Sequence, residues 1–212
     1  PDGLRLREGR LERLIEGRWQ SQAMTLADIA RTAHLDPLRL PGGMEPGLHL
    51  TMAYDPPPMT YANATHACEV AVDVETGEIG IQRYVVAHDC GTEINPTIVA
   101  GQVHGAVGMG LSGALMEHCH YDAGGQNLAG TFMDYAIARA TDLPRFEIIP
   151  CSRPNLLTPA GIKGMSEGGV MGAIGAVCNA VSDALAPIGV VIEAQPLTPD
   201  RIMSAIWRAR NR

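Results

Sequence analysis

A carboxylate set among glycines has the strongest chemical potential in this chain. Glu167 stands in Gly161-Ile162-Lys163-Gly164-Met165-Ser166-Glu167-Gly168-Gly169, directly before an apolar stretch. Two roles suit such a group. It can act as a proton acceptor in a narrow site whose backbone amides meet an anion, or it can charge the first turn of the helix that follows. On residue types alone the helix-terminal role is the stronger. The loop lacks a Gly-Lys-Ser/Thr ending, so it is not a nucleotide-binding P-loop.

Gly108-Met109-Gly110-Leu111-Ser112-Gly113 carries the letters of a dinucleotide fingerprint. That motif functions only where it leaves a strand and opens a helix, so that pyrophosphate meets the helix N-terminus. Here it falls well inside a helix expected to begin after Asn95, and it is a decoy. Gly101, Gly105 and Gly108 recur at helical spacing and form a smooth face for another backbone or a cofactor. His118, Cys119 and His120 crowd together, but consecutive side chains at a helix end diverge and do not share a metal. No metal-ligand set is expected. His104 reads as a satisfied structural histidine, and Ser112, Ser166 and Ser204 lack the His/Asp partners of a hydrolase.

These residues need elements to hold them. Gly3 to Leu14 reads as a hairpin about Glu8-Gly9. Thr25 caps a short helix running to Ala33, with Asp28 as the reciprocal member of a capping box. Pro37 to Pro58 is a long loop or linker. Cys68, Val70, Val72 and Val74 mark one face of a strand, Glu75 to Glu78 a turn, and Ile79 to about Ala87 the returning strand. Asn95-Pro96 is an N-cap followed by proline, opening a helix to about Cys119. A second hairpin is expected about Asp122 to Gly125 and a strand at Phe146 to Cys151. A helix follows from Val170 to Leu185, then a strand near Val190 and a terminal helix capped at Thr198. Strand pairs between helices predict an α+β domain: hairpins and a mixed sheet packed with glycine-rich helices.

Composition bounds the partners. The chain has 212 residues, 24 Gly, 15 Pro, 4% aromatics and a net charge of −7. That acidity argues against nucleic acid, which needs a basic face. No apolar run reaches the roughly 18 residues of a membrane span, so none is expected. Five scattered cysteines without a Cys-x-x-Cys fit reduced thiols in the cytoplasm.

Several runs, taken in order, resemble one family. They are Val85-Val86-Ala87-His88-Asp89-Cys90-Gly91, Ile94-Asn95-Pro96, Gly101-Gln102-Val103-His104-Gly105, Gly130 to Tyr135, Arg139 with Asp142-Leu143-Pro144, Gly161 to Gly169, and Asn179 to Leu185. Together they are similar to the molybdenum hydroxylases of the xanthine oxidase family. Within it they are most like the large, molybdopterin-binding chain of the aerobic carbon monoxide dehydrogenase type. The resemblance shifts the balance for Glu167 from helix terminus to proton acceptor. It implies a general base beside molybdenum that activates a water-derived hydroxyl for attack on a carbon centre (an aldehyde, an N-heterocycle or carbon monoxide). It also implies that His88, Asp89, Asn95, Gln102, Lys163, Gly164 and Ser166 bind a molybdenum–molybdopterin cofactor in its cytosine dinucleotide form. Iron–sulfur and FAD groups would sit on partner chains.

Two departures accompany the resemblance. Ser166 precedes Glu167 where the family usually has glycine, and Ala173 to Ala176 lacks a common proline. Family large chains are several times longer. The expectation is therefore that residues 1–212 form the C-terminal portion of the cofactor-binding domain, as a fragment or a split subunit inactive alone. A non-catalytic scaffold or assembly subunit of the same fold is the alternative.

Overall fold

The computed structural model describes residues 3–57 and 60–211. The chain forms two compact units, Pro1–Asp55 and Pro56–Arg212. The division falls inside the passage expected as loop or linker.

The first unit is an antiparallel meander of β1 (Leu4–Arg7), β2 (Arg10–Ile15) and β3 (Arg18–Thr25), followed by helix α1 (Leu26–Leu35). The predicted hairpin is present, and β3 extends it by a strand. Both turns are Glu-Gly pairs in left-handed backbone, with φ of 49° and 75° at Glu8-Gly9 and 47° and 77° at Glu16-Gly17. Such pairs suit the two-residue turns that match strand twist. The repeat of Glu-Gly was the available signal for β3. The capping box forms as expected: Asp28 N donates to Thr25 Oγ1 at 3.2 Å, and Thr25 N donates to Asp28 Oδ2 at 2.9 Å.

The second unit holds a mixed sheet of β4 (Asn63–Val72), β5 (Ile79–Asp89) and β6 (Phe146–Pro150). Central β5 pairs antiparallel with β4 and parallel with β6. Helices α2 (Pro96–Leu115) and α3 (Met171–Leu185) pack with the sheet, and α4 (Pro199–Arg210) closes the chain. One continuous core joins Tyr84 and Val86 to Val107, Leu111, Val177 and Ile202. A bulge shapes it. Glu69 pairs with Arg83 but Val70 pairs with Ile81, leaving Gln82 extra. The inward set on β5 therefore changes parity, from Ile79 and Ile81 to buried Tyr84, Val86 and His88.

Four expectations are corrected. No strand forms at Val190; Gly189 at φ 72° ends the helical stretch, and Val190 turns its side chain into the core. The hairpin about Asp122 reduces to a single bridge between Tyr121 and Asn127, because Asp122 Oδ1 binds the Gly124 and Gln126 amides and closes a compact loop. Thr198 makes no side-chain cap to α4, since its hydroxyl donates instead to Asp200. Finally, Pro96–Leu115 and Met171–Ile188 are long and apolar enough to cross a membrane by length and composition. Glycine and alanine between the aliphatic residues hid this from a search for unbroken apolar runs. In the fold each helix turns a row of these residues into the core: Val103, Val107 and Leu111 on α2, and Ala173, Val177 and Val181 on α3.

Candidate functional site

Asp89 ends β5 and anchors the glycine loop. Its Oδ1 accepts from Gly91 N at 2.9 Å and Arg153 N at 3.0 Å, and its Oδ2 accepts from Lys163 Nζ at 2.6 Å. The Arg153 amide, the Lys163 ammonium and the Gly91 amide together hold this carboxyl down at about 2. Both side chains are largely enclosed, so Asp89 and Lys163 form a clamp beneath the loop. The backbones are tied as well: Lys163 N donates to Cys90 O at 2.9 Å and Thr92 N donates to Gly161 O at 3.0 Å. Gly91, at φ 71°, lies so close to Gly161 O that a Cβ would collide with it.

His66 on β4 holds the loop's other end, a residue that no motif in the sequence singles out. Its Nε2 faces Gly168 O at 3.1 Å and its Nδ1 faces the Tyr84 hydroxyl at 2.9 Å. A carbonyl only accepts, so Nε2 carries the hydrogen and Nδ1 accepts from Tyr84. The imidazole fills the space above Gly172, where a Cβ would collide with it. The available signal was alternation. His66 shares the inward parity of Cys68, Val70 and Val72 on β4.

Between these anchors, Glu167 is exposed and lines a cleft of about 360 Å³ with Thr60, Tyr61, Ala62, Gly164 to Gly168 and Met171. The helix-terminal role is not the one it takes. The N-cap of α3 is Val170, and no acid stands in that helix's first turn. Only the backbone of Glu167 serves the helix, its carbonyl accepting from Val170 N at 3.0 Å. Among the described residues its carboxylate has no hydrogen-bond or ion-pair partner, and the amides of residues 164–169 have no acceptor. Among the described residues the carboxylate and the loop amides are thus both uncommitted, though the cleft is open and not the narrow site expected of a carboxylate among glycines.

The remaining expected residues separate. Gln102 is exposed on α2, and Ser166 and Gly164 are exposed in the loop. Asn95 spends its Oδ1 on capping α2 through Ile98 N at 3.2 Å. His88 is 2% exposed, and its enclosed Nδ1 has no partner among the described residues. The glycine face of α2 also divides. Cβ atoms on Gly101 and Gly105 would meet nothing, whereas one on Gly108 would lie 3.0 Å from the Leu143 Cδ1. Gly110, on the opposite side of the helix, faces α3, where a Cβ would lie 2.5 Å from the Ala173 Cβ. His104 is satisfied, as expected, with Nδ1 2.8 Å from Ala100 O. The His118 and His120 rings do converge, with centroids 3.8 Å apart. Regular helix stops at Leu115, and in the non-helical chain beyond it residues two apart face the same way.

The chain matches the molybdopterin cofactor-binding domain family over residues 1–144. It is 38% identical to the nicotine 6-hydroxylase large subunit of Paenarthrobacter nicotinovorans, over 86% of this chain and 22% of that protein. It is also 38% identical to the carbon monoxide dehydrogenase large chain of Hydrogenophaga pseudoflava, over 88% of this chain and 23% of that one. Its backbone superposes on quinoline 2-oxidoreductase from Pseudomonas putida 86 with a TM-score of 0.84 at 35% identity, covering 97% of this chain and 26% of that one. The chain thus spans about a quarter of the length of these relatives.

Proposed function

Given that the chain belongs to the molybdopterin cofactor-binding domain family of the molybdenum hydroxylases, we propose that it forms one side of a carbon-hydroxylating site, with Glu167 as general base. The observation that carries this reading is the carboxylate on the cleft, uncommitted among the described residues, beside loop amides that have no acceptor among them. Those amides and the exposed Gln102 suit the phosphates and polar edges of a pterin dinucleotide, in the cytosine form.

When bound, the molybdenum–pterin group supplies the two-electron redox chemistry that transfers a water-derived oxygen to a substrate carbon. Glu167 takes the proton at its carboxylate. Asp89, Lys163 and His66 hold the loop that carries it. Substrate is an aldehyde, an N-heterocycle or carbon monoxide. Iron–sulfur and FAD groups on partner chains would carry the electrons away, in a cytoplasmic complex that would include the rest of a large-chain polypeptide. The open cleft supports that last element, because the residues here wall only part of it.

Glu167→Gln, tested in the assembled complex, is expected to lower turnover by about 10²- to 10⁴-fold, the usual contribution of a general base. Molybdenum and pterin content should stay at the wild-type level. Unchanged turnover would remove Glu167 from the mechanism. Loss of turnover together with molybdenum would make the loop a cofactor support instead. A complex that never takes up molybdenum would favour the scaffold reading.

A further inference from the structure

The end of β5 carries a second constellation, apart from the Glu167 cleft. His88, Cys90 and Glu93 each offer a ligand atom, and the three atoms lie within 4.8 Å of one another. Residues two apart on extended chain project to the same side, which brings His88 and Cys90 together while Asp89 between them faces its clamp. The left-handed turn at Gly91 then swings the chain so that Glu93 returns to the same place. Ser152 Oγ donates to Glu93 Oε1 at 3.0 Å and orients that carboxylate.

The histidine points to a ligand. It is 2% exposed, its Nδ1 is enclosed without a partner, and neither ring nitrogen has a hydrogen bond among the described residues. A buried polar nitrogen is ordinarily paired, and one left unpaired is costly. Cys90 beside it is 3% exposed.

We propose that His88, Cys90 and Glu93 bind a zinc(II) ion at the C-terminal end of β5, with solvent as fourth ligand. One imidazole, one thiolate and one carboxylate form a borderline nitrogen, sulfur and oxygen set. It suits zinc and does not suit magnesium or calcium, which take oxygen. The thiolate and carboxylate together neutralise the dication. Tetrahedral zinc places its ligand atoms roughly 3.5 Å apart, so side-chain rotations of about an ångström close the site. This site gives His88 a different partner from the pterin cofactor that the resemblance implied, and it does not depend on the role of Glu167.

The test uses the assembled protein incubated with zinc chloride and dialysed, then read by elemental analysis and by X-ray absorption at the zinc edge. That edge is distinct from those of molybdenum and iron. The expected result is about one zinc per chain with one sulfur neighbour at about 2.3 Å. Absence of zinc, or zinc with no sulfur neighbour, overturns the proposal, and neither outcome depends on a variant. Cys90→Ser should abolish the sulfur signal. Glu93→Gln, at the less buried ligand, should weaken zinc affinity at least tenfold while leaving molybdenum content and circular dichroism unchanged. Unaltered zinc affinity in both variants also overturns it.

Discussion

At the residue scale, commitment separates the two carboxylates near the loop. Asp89 is occupied by two amides and an ammonium, and Glu167 by nothing among the described residues. The first therefore stabilises the loop, and the second is free for chemistry. Asp89→Asn puts an amide NH₂ where a donor already points, which costs about 1–3 kcal/mol at pH 7. The pH dependence follows from the lowered carboxyl. Its contribution is complete above the unfolded value near 4 and is lost as pH falls toward about 2. Thermal unfolding at pH 7 and pH 3 checks this. The gap between wild type and variant should narrow in acid, and a gap independent of pH would show that charge plays no part in the clamp.

The α2–α3 crossing is an element-scale feature set by glycine. Gly110 admits Ala173, and Gly169 sits against Val103 and Ala106 where α2 passes beneath the loop. Gly110→Ala forces the helices apart and is expected to destabilise by about 1–3 kcal/mol. Gly105→Ala meets open space and should stabilise α2 by up to about 1 kcal/mol, the ordinary helix preference of alanine. Urea midpoints distinguish the two. If Gly105→Ala stabilises but lowers molybdenum loading, that side of α2 is where the cofactor lies. The Gln82 bulge belongs to the same scale. It turns Tyr84, Val86 and His88 inward, and without it Arg83, Val85 and Ala87 would hold those places.

For the whole molecule, burial is uneven. The continuous core belongs to the second unit, while Ala33 is the single buried residue on α1 and the β1–β3 sheet has none. A three-stranded meander with so little enclosed surface gains little from folding. A chain beginning at residue 60 should therefore unfold in one cooperative transition, followed by circular dichroism in denaturant. A polypeptide of residues 1–55 should show no comparable transition. Loss of cooperativity in the longer piece would mean that the first unit supports the core. Exposed Phe132, Met133, Leu156 and Met171 on the second unit fit the proposed packing against further large-chain polypeptide.

Much was legible because its causes are local. Thr25 with Asp28, and Asn95 with Pro96, announce helix starts through short-range hydrogen bonds. The alternation Cys68, Val70, Val72 announces a strand with one wet face. The ordered motifs pointed to the family, and through it to Glu167. Other features depend on residues far apart in sequence. Nothing near Asp89 names Lys163, 74 positions away, and nothing near His66 names Gly168, 102 positions away. The bulge at Gln82 emerges only when β4 and β5 are paired. Most helices and strands, the glycine loop and the acid within it could thus be read from residue order, since propensity and capping act over a few residues. That Glu167 faces a cleft instead of capping α3, and that His88, Cys90 and Glu93 converge, came from the folded chain. Those outcomes depend on which distant backbone and side-chain groups are already paired.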